Sequence, residues 1–293
     1  MNVAISTRGK RALWFSFGFL LVFLYAPLVI LVIFSFNDRE FVSFPWQGFT
    51  LRWYQQFLEN PFLLDSLKTS AAIATMTSVV TTALAIPASI ALSRRRFFAK
   101  GLVSGVLLAP LVIPLVVLGT ALLILFNIVK TLIGIDFELG MMSIMVAHVV
   151  IALPFAILTI VPRLERIPVA LEEASRDLGA GWWTAFRTIT FPLLAPAVVS
   201  AALISFTISF DEIVLAEFVG GQTTTFPRYL WSQMRLPRQL PQVIGVAVIV
   251  LVVSAVVVML SELLRRRTDT ALEASTTVFD DDIGIPTNEV VSA

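Results

Sequence analysis

The 293-residue sequence contains no cysteine and a single histidine, His148. The first absence excludes disulfides, thiolate metal sites, cysteine-ligated iron–sulfur clusters and a cysteine nucleophile. The second excludes a multi-histidine metal site built from this chain alone. Charge is scarce as well: 14% of residues are Asp, Glu, Lys or Arg, and 57% are hydrophobic, where a soluble domain carries about 25% and about 45–50%. The 21 basic and 20 acidic residues cancel to a net +1. No Gly-x4-Gly-Lys-Ser/Thr phosphate loop occurs, so no nucleotide site of that kind is encoded.

Apolar length is what the chain has in abundance. A bilayer crossing takes about 20 mostly apolar residues, and six windows qualify, at 13–36, 67–92, 102–126, 141–161, 193–219 and 243–264. They predict an all-α integral membrane protein whose six helices form one domain over residues 1–267. Many of these residues are β-branched, yet in lipid every backbone group must be satisfied inside its own segment, so helix is expected over strand. The first window follows Arg8, Lys10 and Arg11 but exceeds the roughly 7–15 apolar residues of a signal sequence, so it reads as a retained helix. Pro27, Pro110, Pro114 and Pro154 are expected to kink spans.

Basic residues near span ends resist translocation and so orient the chain. Arg8, Lys10, Arg11, Arg94, Arg95, Arg96, Lys100, Arg163, Arg166, Arg176, Arg187, Arg265, Arg266 and Arg267 all fall on the side that holds both termini. Only Arg39, Arg52, Lys130, Arg228, Arg235 and Arg238 fall on the other. Both termini are therefore expected in the cytoplasm, with 93–101 and 162–192 as internal loops and 37–66, 127–140 and 220–242 outside. Residues 268–293 hold six acidic residues and no basic one, and read as a disordered cytoplasmic tail.

The long internal loop, 162–192, has its own pattern. Pro168 suits a helix start and Gly179 a helix end, which predicts a short helix over about 169–178. Leu171, Ala174, Ser175 and Leu178 recur on it at i, i+3, i+4 and i+7 as a small apolar stripe, with Glu172, Glu173, Arg176 and Asp177 on the remaining surface. Trp182, Phe186 and Ile189 make a second stripe after the Gly-Ala-Gly turn. A compact helix–turn–helix knob of this kind suits docking into a groove on a cytoplasmic partner.

Glu173-Ala174-Ser175, then Gly179, then Ile189-Thr190-Phe191-Pro192, resembles the "EAA" loop of the membrane subunits of binding-protein-dependent ABC importers. The family pattern is Glu-Ala-Ala-x3-Gly-x9-Ile-x-Leu-Pro, and this chain departs from it at Ser175 and Phe191. The resemblance implies a MetI-like permease fold in which this loop is the coupling helix seated in a cleft of an ATPase subunit. Glu173, Ala174, Ser175, Gly179, Leu171 and Leu178 would then lie at that contact. It also implies that ATP-Mg is bound by partner ATPase subunits and not by this chain. The other implied partners are a second permease subunit and an extracytoplasmic binding protein, all at the bacterial inner membrane.

The fifth window carries Asp211, Glu212 and Glu217 with no basic residue. Charge inside a span is costly and points to function by default. At 100° per residue Glu212 shares a helical face with Ser205 and Ser209, with Asp211 beside it, and these residues are candidates to line a polar pathway. Phe206 and Phe210 could offer aromatic faces to a cation. The competing reading is that the acids cap the end of the span and meet Arg228 or Arg235, with Glu217 nearer this reading. His148 reads as a packed, hydrogen-bonded residue.

The run from Ser209 to Gly221, followed by Thr223-Thr-Thr-Phe-Pro227, resembles the spermidine/putrescine permeases, as do Phe34-Ser-Phe-Asn-Asp38 and 46–54. Gly220-Gly221-Gln222 replaces the usual Gly-Pro, and 236–242 also differs from many relatives. The resemblance implies import of polyamines by alternating access. Other small solutes (an opine, a ferric ion, an amino-acid-like compound) and an ion-coupled secondary transporter are the alternatives.

Overall fold

The computed structural model describes residues 7–40, 43–134, 138–236, 239–253, 255, 256 and 259, and the described elements are helical apart from one isolated antiparallel bridge, Asn37 to Phe49. In chain order they are α1 (Thr7–Ser35), α2 (Arg52–Glu59), α3 (Pro61–Arg94), α4 (Lys100–Leu108), a 3-10 turn (Ala109–Leu111) and α5 (Leu115–Ile133). There follow α6 (Met141–Arg166), α7 (Val169–Asp177), α8 (Trp182–Ala185), a π-helical segment (Phe186–Thr190), α9 (Phe191–Asp211), α10 (Val214–Val219), α11 (Phe226–Met234) and α12 (Leu240–Val253). Five helices among the described residues are long and apolar enough to cross a membrane: Arg8–Ser35, Pro61–Arg94, Leu115–Leu132, Met141–Arg166 and Trp182–Asp211. The last part of the expected sixth window, and the acidic tail 268–293, lie outside the described residues.

The third window, 102–126, is not one span. Pro110 and Pro114 divide it into α4, the 3-10 turn and α5, and α5 runs on to Ile133, inside the segment expected to be an external loop. Proline removes a backbone donor and disfavours helix in the residue before it, so two prolines four residues apart end the helix where one would kink it. Pro27, Pro87, Pro154, Pro162 and Pro196 lie within continuous helices.

The chain divides into two compact units, one from Met1–Ser66 with Tyr229–Val253 and the other containing Leu67–Arg228. In the first, the most apolar window of α1 has no buried residues, as expected of a helix whose side chains meet lipid. The turn after it is tied by Asn37, whose carbonyl accepts from Trp53 Nε1 at 2.9 Å and whose Oδ1 accepts from the Gln47 amide at 3.1 Å. Trp53 and Phe57 bury the apolar face of α2. A Cβ added to Gly245 of α12 would lie 3.5 Å from Trp53, so α12 runs close to α2.

The second unit has two cores. One joins Leu118, Leu122 and Phe126 of α5 to Ile144, Ala147 and Ile151 of α6 and Leu215, Ala216 and Val219 of α10. The other joins Ala85 of α3 to Ala156, Ile157, Ile160 and Leu164 of α6 and Leu194, Ala197 and Ala201 of α9. Alanine at many of these contacts lets the helices approach closely, the means by which apolar helices associate in lipid. A seam of small polar residues also runs inside, with Ser78 Oγ donating to the Ala202 carbonyl at 2.6 Å and His148 Nδ1 sharing a 2.8 Å hydrogen bond with Ser209 Oγ.

Gly221 has φ +51°, and a Cβ there would lie 2.5 Å from the Leu139 carbonyl oxygen. Gly179 has φ +88° and open space around the same position. Gly221→Ala should therefore destabilise the protein by roughly 1–3 kcal/mol, from left-handed backbone and clash together, and Gly179→Ala by only about 1 kcal/mol. Thermal unfolding in detergent measures both; equal shifts would show that the Leu139 contact does not matter.

Candidate functional site

The fifth window does not form one helix either. α9 ends at Asp211, Glu212 is extended at φ −75° and ψ 117°, and α10 starts at Val214. A break inside an apolar layer frees N–H and C=O groups that water cannot reach, so each needs a partner from the protein. Glu212 supplies one: its Oε1 accepts the Leu215 amide at 3.0 Å, at the start of α10. At the far end of α10, Ser143 Oγ donates to the Val219 carbonyl at 2.6 Å and accepts the Gly140 amide at 2.7 Å. With both ends held, α10 can bury Leu215, Ala216 and Val219 completely against α5 and α6.

This break corrects the expected pathway face. Because α9 stops at Asp211, the 100° rotation per residue does not carry on to Glu212, and Ser205, Ser209 and Glu212 do not share a helical stripe. Ser205 and Ser209 are buried, Ser209 against His148 of α6. Asp211 is exposed at the tip of α9 and Glu212 is half-buried beside it. Phe206 and Phe210 stack with ring centroids 5.9 Å apart, and Phe210 lies 5.9 Å from Phe226, an aromatic contact the sequence reading had not included. The last two turns of α9 and the residue after it thus carry two stacked aromatic rings and two neighbouring carboxylates, while the two serines stay within the helix packing. The acid that meets Arg228 is Glu217, at 2.8 Å; Arg228 also donates to the Thr223 carbonyl at 2.6 Å.

The knob forms as α7, Val169–Asp177, with no buried residue. Its end is closed by the Gly179 amide on the Arg176 carbonyl at 2.8 Å and the Ala180 amide on the Ser175 carbonyl at 3.0 Å, with Gly179 left-handed as such a cap requires. Along the expected stripe, Leu171 (44%), Ala174 and Leu178 (90%) are exposed and Ser175 is partly buried. Glu173 is exposed as well. Trp182, Trp183, Phe186 and Phe191 form a chain of ring contacts next to it, with Trp182 and Phe186 stacked at 5.8 Å.

Glu172 departs from its expected place on the solvated surface. Its Oε1 lies 3.4 Å from Arg94 Nη2 and accepts from Thr190 Oγ1 at 3.1 Å, and its side chain is only 13% exposed. Arg94 Nη2 also donates to the Ile167 carbonyl at 2.7 Å. The sequence reading used Arg94 for orientation and Thr190 as part of a motif. Nothing in their spacing, 78 and 18 residues from Glu172, could have paired them.

Residues 82–270 match the family described as binding-protein-dependent transport system inner membrane component. The spermidine/putrescine transport system permease protein PotC of Escherichia coli is 36% identical over 245 residues, 83% of this chain and 90% of its own length. The putrescine transport system permease protein PotI of the same organism is 36% identical over 216 residues, 73% of this chain and 76% of its own. Among solved structures, a bacterial ABC transporter involved in alginate import has a chain that superimposes with a TM-score of 0.68 at 15% identity, covering 88% of this chain and 94% of that one.

Glu212→Ala removes the acceptor for the Leu215 amide and should destabilise the protein by about 0.5–2 kcal/mol, the range for losing a helix-start acceptor. Glu212→Gln keeps an acceptor oxygen and should recover most of that loss. Thermal unfolding in detergent reads the difference, and equal losses would mean that charge matters there and the cap does not.

Proposed function

The chain belongs to the family of binding-protein-dependent transport system inner membrane components, and from that premise we propose that it is a membrane subunit of an ATP-driven importer that brings polyamines into the cell. The observation that carries the substrate class is 36% identity to a spermidine/putrescine permease over 90% of that permease's length. The cluster at the end of α9 agrees with it chemically. A polyamine ammonium entering a narrow path loses hydration and needs replacement by carboxylates or carbonyls, and an aromatic face adds cation–π attraction.

In this reading Asp211, Glu212, Phe206 and Phe210 contact the passing cation, with Ser205 and Ser209 supporting α9 from inside the packing. Two carboxylates attract a dication without enclosing it, and a site in a conduction path must bind weakly enough to release. Selectivity then rests mainly with an extracytoplasmic binding protein. α7 is the coupling helix, and Leu171, Ala174 and Leu178 offer an exposed apolar stripe to the ATPase cleft, flanked by Glu173, Ser175 and Gly179. Two ATPase subunits hold ATP-Mg and hydrolyse it, and a second permease subunit completes the path. Both termini lie in the cytoplasm, as the distribution of Lys and Arg requires. Closure of the ATPases moves α7, and the path alternates its access.

Asp211→Asn, which keeps shape and removes charge, should lower ATP-driven spermidine uptake into proteoliposomes about tenfold, the equivalent of roughly 1.4 kcal/mol, with the complex still assembled. Unchanged uptake would remove Asp211 from the path. Gly179→Glu places a bulky acid in left-handed backbone at the docking turn and should cut ATPase co-purification several-fold. Normal co-purification together with normal receptor-stimulated hydrolysis would take the coupling role from α7.

A further inference from the structure

We propose that Arg94, Glu172 and Thr190 form the joint through which movement of α7 reaches two membrane helices at once, and that these are positioning residues for transport. The inference rests on the importer reading above and adds to it the route of coupling inside this chain. One carboxylate sits at the meeting point of three elements. Glu172 belongs to α7, Arg94 is the last residue of α3, and Thr190 is the last residue of the π-helical segment that leads into α9. Glu172 Oε1 takes both partners, Arg94 at 3.4 Å and Thr190 at 3.1 Å, while Oε2 lies 4.0 Å from Arg176 of α7 itself. Arg94 then fastens the corner before α7 through the Ile167 carbonyl. Besides the chain itself, which leads from α7 through the 178–181 turn toward α9, this one side chain ties α7 to the ends of both α3 and α9.

Two features suit the joint to movement as well as to support. Strong charge-assisted pairs close to about 2.7–2.9 Å and often engage an arginine by two nitrogens. Here a single nitrogen of Arg94 holds Glu172 at 3.4 Å, and Arg94 Nε is buried with no hydrogen-bond partner among the described residues. The guanidinium therefore keeps an unused donor for a second arrangement. The π-helical segment Phe186–Thr190 is the other feature: the Phe191 amide reaches back to the Phe186 carbonyl, which leaves extra backbone in the turn just before α9. π-turns of this kind are often found at functional positions because they let a helix shift register locally. From Thr190 to Asp211 the helix runs about 30 Å at 1.5 Å per residue, so the joint and the carboxylate cluster are the two ends of α9.

The test uses the complete complex of this chain with its ATPase, second permease and binding protein in proteoliposomes, and reads spermidine taken up per ATP hydrolysed. Glu172→Gln and Thr190→Val should leave ATPase co-purification intact and lower that ratio at least about fivefold, the lower end of coupling between sites. Arg94→Glu should do the same, and Arg94→Glu combined with Glu172→Arg should recover a substantial part of it. Parental ratios in Glu172→Gln and Thr190→Val would overturn the joint. So would variants that lose only assembled complex while what assembles keeps the parental ratio, since that is the signature of a purely structural contact. The unmodified complex reports separately on the importer reading: without ATP-driven uptake there, that reading fails, whereas normal uptake with unaffected variants rejects the joint alone.

Discussion

Backbone groups that leave a helix inside an apolar layer must find partners within the protein, because lipid supplies none. The organisation of the second unit follows from that constraint. At the two ends of α10 the side chains of Glu212 and Ser143 take the Leu215 amide and the Val219 carbonyl, and Leu215, Ala216 and Val219 are buried against α5 and α6. The same break leaves Asp211 at an exposed helix tip. An exposed carboxylate at the helix tip and a carboxylate committed to capping the next helix thus sit next to each other in the chain.

The other end of α9 obeys a related rule. Charges withdrawn from water must be paired or hydrogen-bonded, and Glu172 meets this by drawing Arg94 and Thr190 around one oxygen. With Glu172 turned inward, Leu171 of α7 and Leu178 just after it are left facing outward. Internal polar satisfaction and external apolar exposure are two faces of one nine-residue helix.

Much of the fold was legible in advance. Runs of about 20 apolar residues forced helices, and the short helix before Gly179 followed from Pro168, the apolar spacing and the glycine, appearing as Val169–Asp177. The misses fall where a run is interrupted. Window 102–126 is divided at Pro110 and Pro114 and window 193–219 at Glu212, because hydropathy averages over short breaks whose residues are themselves mostly apolar. The helical wheel for Ser205, Ser209 and Glu212 failed for the same reason: it assumes that the helix continues. Phe206 and Phe210 lie before the break at i and i+4, so their stacking could be read from spacing.

The sequence by itself determined that this chain is helical and built for lipid. Which side its basic ends favour also follows from it, as does a short helix in the loop between two spans, since these depend on composition and on neighbours within a few residues. The tertiary structure alone decided that Glu172 faces inward to Arg94 and Thr190, that Ser209 is committed to His148, and that Glu217 meets Arg228. Each of these pairs is a polar group meeting its nearest complement. Which complement is nearest depends on how helices distant in the chain come to lie side by side.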